Sequence, residues 1–334
     1  MKKILLITTG GTIASISTEN GLVPGLTGKQ LLESVPSIYK MCDVDVLTLY
    51  SIDSTNVYYK HWLKIASTIK ENYEKYDGFV ICHGTDTMSY TASALSYLIQ
   101  NSKKPIVITG SQKPINLDIS DAKTNLLDSF TYACDENSKG VVLIFNGNVI
   151  LGSRARKVRT KSFDAFSSID YPRVAIVKDG YVIHYINNLS TDTKFYDTLN
   201  PKVALLKLTP GMYESIFEFM LDKYDAVVVE SFGVGGLPNY DGSKYYDIVE
   251  KYTKLGKVIV MTTQVQNEGS DIAIYNVGHQ LKKQDNVLEA YDMTTEAVVT
   301  KLMWALSLTK DVNEVRNMFY KTISNDILFR RDLK

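Results

Sequence analysis

Cysteine and histidine are scarce in this chain of 334 residues, and neither is arranged for chemistry of its own. Cys42, Cys82 and Cys134 are odd in number and widely spaced, which excludes a disulfide framework and predicts free thiols in a reducing compartment. His61, His83, His184 and His279 show no H-x-x-x-H or H-E-x-x-H spacing, and no Cys, His and carboxylate cluster has metal-ligand spacing, so no metal is expected. No apolar run approaches the ~18 residues of a membrane span. The opening "MKKILLI" offers only a short apolar stretch where a secretory signal needs roughly 7–15 residues, and a cytoplasmic location is expected. An excess of charge is also missing. With 37 basic residues against 37 acidic ones, the composition advertises neither nucleic acid nor an anionic membrane as partner. Nucleotide fingerprints fail as well. There is no G-x-x-x-x-G-K-[ST], and "GVGGLP" (Gly233 to Pro238) places Pro238 where the third glycine of G-x-G-x-x-G belongs. A G-x-S-x-G elbow is absent too, which disfavours a Ser-His-Asp hydrolase.

What is present is a regular alternation. Short apolar runs ("KKILLIT", "DVDVLTL", "GFVICH", "PIVITG", "GVVLIF") read as strands buried on both faces. Between them, "HWLKIASTIKENYEKY" and "DTMSYTASALSYLIQN" carry apolar residues at helical spacing, with Met88, Ala92, Leu95 and Leu98/Ile99 on one face. This predicts an α/β fold with a parallel sheet. "RVAIVKDGYVIHY" reads as a hairpin around Asp179-Gly180, after which a polar segment interrupts the pattern. "KVALLKL", "DAVVVESF" and "KVIVMTT" then restart it, with helices in "ESIFEFMLDKY", "KYYDIVEKYTKL" and "TEAVVTKLMWALSL". Two domains of one class are expected, 1–190 with the catalytic loops and a smaller 201–334, joined by a linker at 191–200.

In open parallel sheets, ligands bind beyond the carboxyl ends of the strands. There this chain carries "TTGGT", "SIDSTN", "CHGTDTM" and "TGSQKP", four loops rich in Gly, Ser, Thr and Asp. One such loop is ordinary turn chemistry, but four on one rim bring hydroxyls, carboxylates and backbone amides together. In "HGTDTM", Thr85 and Asp86 stand at the start of a helix, where the dipole favours negative charge; alone, an ordinary N-cap by Thr85, Asp86 or Thr87 is the plainer reading. The basic run "SRARKVRTKS" reads as a solvated or anion-contacting loop that also supplies Lys157. A threonine hydroxyl is a weak nucleophile that needs a base or proton relay, so a Thr–Lys–Asp set makes chemical sense. Sequence spacing does not place Lys157 beside Asp86.

Taken together, "TTGGTIAS" and "HGTDTMSYTASAL" closely resemble the two signatures of the bacterial L-asparaginase family. "TGSQKP", "SDAKTNLLDS", "RARKV", "FGVGGLP" and "DMTTEAVVTKLMW" are similar to further family segments in the same order, and the likeness spans essentially the whole chain. The resemblance, of the type I cytoplasmic branch, implies two α/β domains, the larger flavodoxin-like, with active sites at the interface of an intimate homodimer that often doubles into a homotetramer. It implies hydrolysis of L-asparagine to L-aspartate and ammonia with no cofactor. By motif, Thr12 is then the nucleophile, with Gly11 beside it. Thr85 positions or activates water, Lys157 moves protons, and Asp86 orients Lys157 and contacts the substrate α-amino group. Asp53 and Ser54 hold the α-amino and α-carboxylate groups, and Ser111 lies near the side-chain amide. Family members carry a tyrosine in the loop after the first motif; here Leu22 stands at the equivalent position, no tyrosine occurs from Ser15 to Pro36, and Tyr58 and Tyr59 are the nearest candidates. Glu268 is a weak match for a carboxylate contributed by a neighbouring subunit. A broader glutaminase-asparaginase, an amidotransferase component and a non-catalytic amino-acid-binding regulator remain as alternatives.

Overall fold

The computed structural model describes residues 1–19, 21–187, 192–274, 281 and 286–329, without the side chains of residues 17, 18, 22 and 24. By internal packing the chain divides into two units, Met1–Asp197 and Thr198–Lys334.

The first unit is built on an eight-stranded sheet. Its strands in chain order are β1 (Lys2–Gly10), β2 (Cys42–Ile52), β3 (Gly78–Cys82), β4 (Pro105–Thr109), β5 (Gly140–Phe145), β6 (Asn148–Leu151), β7 (Ala175–Lys178) and β8 (Tyr181–His184). In space they run β8-β7-β6-β5-β4-β3-β1-β2. The stretch β2-β1-β3-β4-β5 is parallel throughout, the flavodoxin-like order, and β6 to β8 extend it antiparallel. Helices α1 (Tyr59–Asn72), α2 (Met88–Leu98) and α3 (Ala122–Cys134) connect the parallel strands. Leu6, Val80, Val107, Leu126, Phe130 and Val142 belong to one apolar core, and β3 and β4 are buried at every position, as their unbroken apolar runs require.

Three local outcomes differ from the sequence pattern. β2, expected to be buried on both faces, is the outer strand of the sheet and is largely half-buried or exposed. Its Asp43 and Asp45 face solvent, where charge blunts an edge that would otherwise pair with another chain. α2 stops at Leu98 because Ile99–Gln100 pairs antiparallel with Lys194–Phe195, which stitches part of the expected linker to this unit. A hairpin turn at Asn146-Gly147, with φ of 51° and 71°, joins β5 to β6; the Asn-Gly pair signals such a turn and was not expected. The expected hairpin at Asp179-Gly180 is present, with φ of 53° and 79°.

The second unit holds a four-stranded, wholly parallel sheet of β9 (Val203–Lys207), β10 (Ala226–Ser231), β11 (Val258–Thr263) and β12 (Val287–Glu289). Helices α4 (Glu214–Lys223), α5 (Tyr245–Lys254) and α6 (Thr295–Leu308) match the three amphipathic or apolar runs of this half. Its core contains Leu206, Phe217, Val229, Tyr252 and Met261. "GVGGLP" is a loop with Gly233, Gly235 and Gly236 at positive φ, and the next helix starts only at Tyr245, so it is no dinucleotide turn. Among the described residues, no helix is long and apolar enough to cross a membrane.

Candidate active site

The order 2-1-3 reverses direction at β1, and a ligand crevice forms where the loops after β1 and β3 diverge. Gly11, Thr12, Asp53, Ser54, Gly84, Thr85, Asp86, Gln112 and Lys157, with Ser15, Ile52 and Thr160, line a cleft of about 270 Å³ there. The loops after all four strands from β1 to β4 therefore reach it. The volume lies just below the roughly 300–1,000 Å³ of clefts for drug-sized ligands, which suits a small substrate.

The two glycines of "TTGGT" make this convergence possible. A Cβ on Gly10 would stand 2.5 Å from the Ile52 backbone nitrogen and oxygen, and one on Gly11 2.4 Å from Gly84 N. Both have positive φ, 101° and 84°, which L side chains adopt at a cost. Gly11 is anchored by its N–H on Ile52 O at 3.2 Å, and its carbonyl accepts from Ala14 N and Ser15 Oγ. The neighbouring threonines divide their work. Thr8 bonds Thr48 across β1 and β2, and Thr9 donates to Cys82 O in β3. Thr12, at the head of a single 3-10 turn (Thr12–Ala14), has no hydrogen-bond partner for its hydroxyl among the described residues.

Facing it is a connected polar set. Lys157 Nζ donates to Asp86 Oδ1 at 2.6 Å and to Thr85 Oγ1 at 2.8 Å, and the Thr85 hydroxyl donates to Gln112 Oε1 at 3.3 Å. The capping expectation for this segment does not hold: Thr87 takes the N-cap position with no side-chain cap, and its hydroxyl donates to Ser54 O instead. Thr85 and Asp86 are thus free of helix duty and turned to Lys157. Thr85 is 6 % exposed, whereas the Asp86 side chain is 59 % exposed, so the set has a buried end and a solvent end.

Lys157 comes from a short antiparallel ribbon, Ala155–Lys157 against Phe166–Ser168. The basic run expected to be a solvated loop splits by position. Arg154 is fully buried, with its guanidinium donating to Ile169 O and lying over the Tyr171 ring. Lys157 enters the cleft, and Arg159 pairs with Asp164 at the surface.

Asp53 caps the 3-10 turn Ser54–Asn56, accepting from Thr55 N and Thr55 Oγ1 at 2.8 and 2.9 Å. Ser111 is fully buried and turns its hydroxyl to Lys113 O; Gln112, its neighbour in the same loop, lines the cleft. The Gln112 side chain is fixed, since Nε2 donates to Ser162 O at 3.1 Å and the backbone N–H rests on the Asp121 carboxylate. Sequence reasoning passed over Gln112 because successive side chains leave a strand end on opposite sides, and the sequence alone does not say which faces the cleft. His83 sits buried at the end of β3.

No tyrosine lines the cleft among the described residues. Tyr58 and Tyr59 are the N-cap and first residue of α1 and pack edge-on to each other. Leu22 pairs through its backbone with Ser17, and its side chain lies outside the described residues. Glu268 lies in the second unit, at a turn with φ of 76°. Among the described residues, no group of three or more His, Cys, Asp and Glu is gathered to hold a metal ion.

Comparison with known proteins follows the same division of the chain. The family model for "Asparaginase, N-terminal" matches residues 3–190, and that for "Glutaminase/Asparaginase C-terminal domain" matches 202–319. An L-asparaginase of Thermococcus kodakarensis is 36 % identical over 329 residues, covering 97 % of this chain and 99 % of that protein. A glutamyl-tRNA(Gln) amidotransferase component of Pyrococcus abyssi is 34 % identical over 343 residues, covering 98 % of this chain and 77 % of that one. Among solved structures, the thermostable L-asparaginase from T. kodakarensis superposes with a TM-score of 0.92 over 98 % of this chain and 100 % of that chain, at 36 % identity. A probable cytoplasmic L-asparaginase from Campylobacter jejuni gives 0.83 over 96 % and 100 %, at 26 % identity. Matched in both halves, in order, and aligned nearly end to end with a relative of over one-third identity, the chain belongs to the asparaginase family.

Proposed function

We propose that this protein is an L-asparaginase, an amidohydrolase that converts L-asparagine to L-aspartate and ammonia through a threonine nucleophile. One observation carries the reading: a hydrogen-bonded Thr85–Lys157–Asp86 set lines the same small cleft as the Thr12 hydroxyl, which has no partner among the described residues. An amide is a poor electrophile, so a nucleophile, a proton path and charge stabilisation must meet at one carbon. In this reading Thr12 Oγ1 attacks the side-chain amide carbon, its proton passes to the departing nitrogen, and ammonia leaves a β-acyl-enzyme. Water held by Thr85, with Lys157 exchanging protons, then cleaves that ester and restores Thr12. Asp86 and Asp53 accept from the substrate ammonium, Ser54 donates to its α-carboxylate, and the Gly11 backbone lets the carbonyl approach closely. Ser111 acts only through its backbone.

The wider expectations stand beside this proposal. No cofactor takes part in the steps above. The domain reading of 1–190 and 201–334 joined at 191–200 is supported by the matched stretches 3–190 and 202–319. A cytoplasmic, type I enzyme is supported by the description of the C. jejuni structure, and a homodimer or homotetramer by the family resemblance.

Likeness to amidotransferase components gives a second reading with glutamine as the amide donor. Ammonia release from asparagine, glutamine and a β-aspartyl dipeptide, assayed side by side, separates the two. One methylene is worth roughly 10–200-fold in a fitted pocket, so asparagine is expected to lead glutamine by at least tenfold in kcat/KM. Equal rates make it a glutaminase-asparaginase. Asparagine binding with no turnover of any amide leaves only the regulator.

A further inference from the structure

Ser111 and Gln112 follow β4 and turn opposite ways. Ser111 is fully buried with its hydroxyl on Lys113 O, whereas Gln112 lines the cleft. The backbone that carries Gln112 is clamped from both sides. Its N–H meets both oxygens of Asp121, at 3.1 and 2.9 Å, and the Lys113 N–H shares one of them. Asn125 Nδ2 bridges that carboxylate to Gly110 O, at 3.1 and 3.0 Å. Asp121 is itself 6 % exposed and stands at the head of α3, so the mount is buried and tied to a helix.

The side chain is held as firmly. Nε2 donates to Ser162 O at 3.1 Å and has Arg159 O 3.5 Å away, so the amide end facing these two carbonyls must be its nitrogen. Oε1 therefore faces Thr85 as a pure acceptor. The Lys157 ammonium can only donate, and it donates to Thr85 Oγ1 at 2.8 Å. The single Thr85 hydroxyl proton is then committed to Gln112 Oε1, at 3.3 Å. Toward the cleft, Oγ1 has only a lone pair left to offer.

We propose that Gln112 is the positioning residue of the hydrolytic step, turning Thr85 into an acceptor for the attacking water. The proposal rests on the amidase reading above and adds to it the direction in which the hydrogen bonds run. A water that donates one hydrogen to Thr85 Oγ1 keeps its own lone pair free to point at the ester carbon of the acyl-enzyme. Without Oε1, the Thr85 hydroxyl can rotate and donate into the cleft, where it occupies the lone pair that must attack. Formation of the acyl-enzyme uses Thr12 and no such water, so it does not depend on this orientation. Gln112 also spans from Thr85 to the loop 159–162 that follows Lys157, which keeps both ends of the Thr85–Lys157 hydrogen bond in register.

Gln112→Met keeps the reach of the side chain and removes both of its hydrogen bonds. The test is steady-state kinetics on L-asparagine, with intact mass after acid quench during turnover and circular dichroism to confirm the fold. When only the second step slows, kcat and KM fall together. The expected fall is about 10- to 100-fold, with kcat/KM within about threefold of wild type and the acyl-enzyme present in the quenched sample. Gln112→Glu restores an acceptor for the Thr85 hydroxyl and is expected to turn over at least about threefold faster than the Met variant. Gln112→Ala is read in the same way if the Met variant does not fold. A loss of kcat/KM with no acyl-enzyme, as a general packing defect gives, overturns the proposal; so does a Met variant with wild-type kcat, or a Glu variant no faster than it. Those results leave the amidase reading intact, whereas a wild-type protein that releases ammonia from no amide removes both.

Discussion

His83 is held neutral by burial, and its neighbours fix its tautomer. The Gly84 carbonyl, 2.6 Å from Nδ1, only accepts, so Nδ1 carries the proton; Nε2 then accepts from Thr91 Oγ1 at 2.9 Å, and Thr91 in turn accepts from Trp62 Nε1. Burial lowers its pKa from 6.5 to about 4. An unfolded chain takes up that proton near 6.5 while the folded one resists to about 4, so stability falls as pH drops through this window, by roughly 3 kcal/mol. Asp128, raised by burial to about 6, has the opposite slope, because its folded form binds the proton first. The contribution of His83 is therefore read as a difference: the stability gap between wild type and His83→Asn in urea is expected to shrink by roughly 3 kcal/mol from pH 7 to pH 4. A gap constant across that range contradicts the assignment. At this scale the sequence exposed Thr12, Thr85 and Asp86, which stand in motifs. It left Lys157 unplaced, because 71 residues separate it from Asp86 and only the folded ribbon joins them. Gln112 was hidden for a related reason, since its role depends on which way one side chain turns.

Between elements, the site depends on backbone meeting backbone. Gly10 lies against Ile52 and Gly11 against Gly84, so the loops after β1, β2 and β3 are packed closer than any side chain permits. Gly11→Ala forces a Cβ to 2.4 Å from Gly84 N at a φ of 84°. Stability is expected to fall by roughly 2 kcal/mol or more, with ammonia release falling further because Thr12 is displaced with it. Urea unfolding and the ammonia assay on the same preparation check this, and a variant with wild-type stability would falsify the close approach. Strand and helix positions were readable because full burial writes an unbroken apolar run and amphipathic helices write a periodic one. The exposure of β2 was not, since its apolar residues resemble those of an inner strand and only pairing decides which strand lies outermost. The early stop of α2 has the same origin: Ile99 and Gln100 continue the helical pattern, but a partner strand 94 residues along captures them, Ile99 pairing with Phe195 and Gln100 with Lys194.

Over the whole molecule, two units of one fold class have separate cores, and the second contains a buried charge pair. Lys301 Nζ of α6 lies 2.6 Å from Asp326 Oδ2, both side chains being fully buried, and also donates to Lys321 O at 2.7 Å. Asp326 further accepts from Ile323 N at 2.9 Å, so the pair fixes the chain that follows the helix Val312–Tyr320 against α6. Removing one partner breaks a buried ion pair, and Lys301→Met is expected to cost about 3–5 kcal/mol in urea unfolding; a loss below about 1 kcal/mol contradicts a structural role. The central claim is chemical, however, and it concerns the first unit. Steady-state ammonia release from L-asparagine, measured over a wide substrate range for wild type beside Thr12→Ala, tests it most directly. The expected result is that kcat falls by at least about three orders of magnitude while the variant keeps its fold by circular dichroism. A Thr12→Ala enzyme that retains a substantial fraction of the wild-type rate contradicts it.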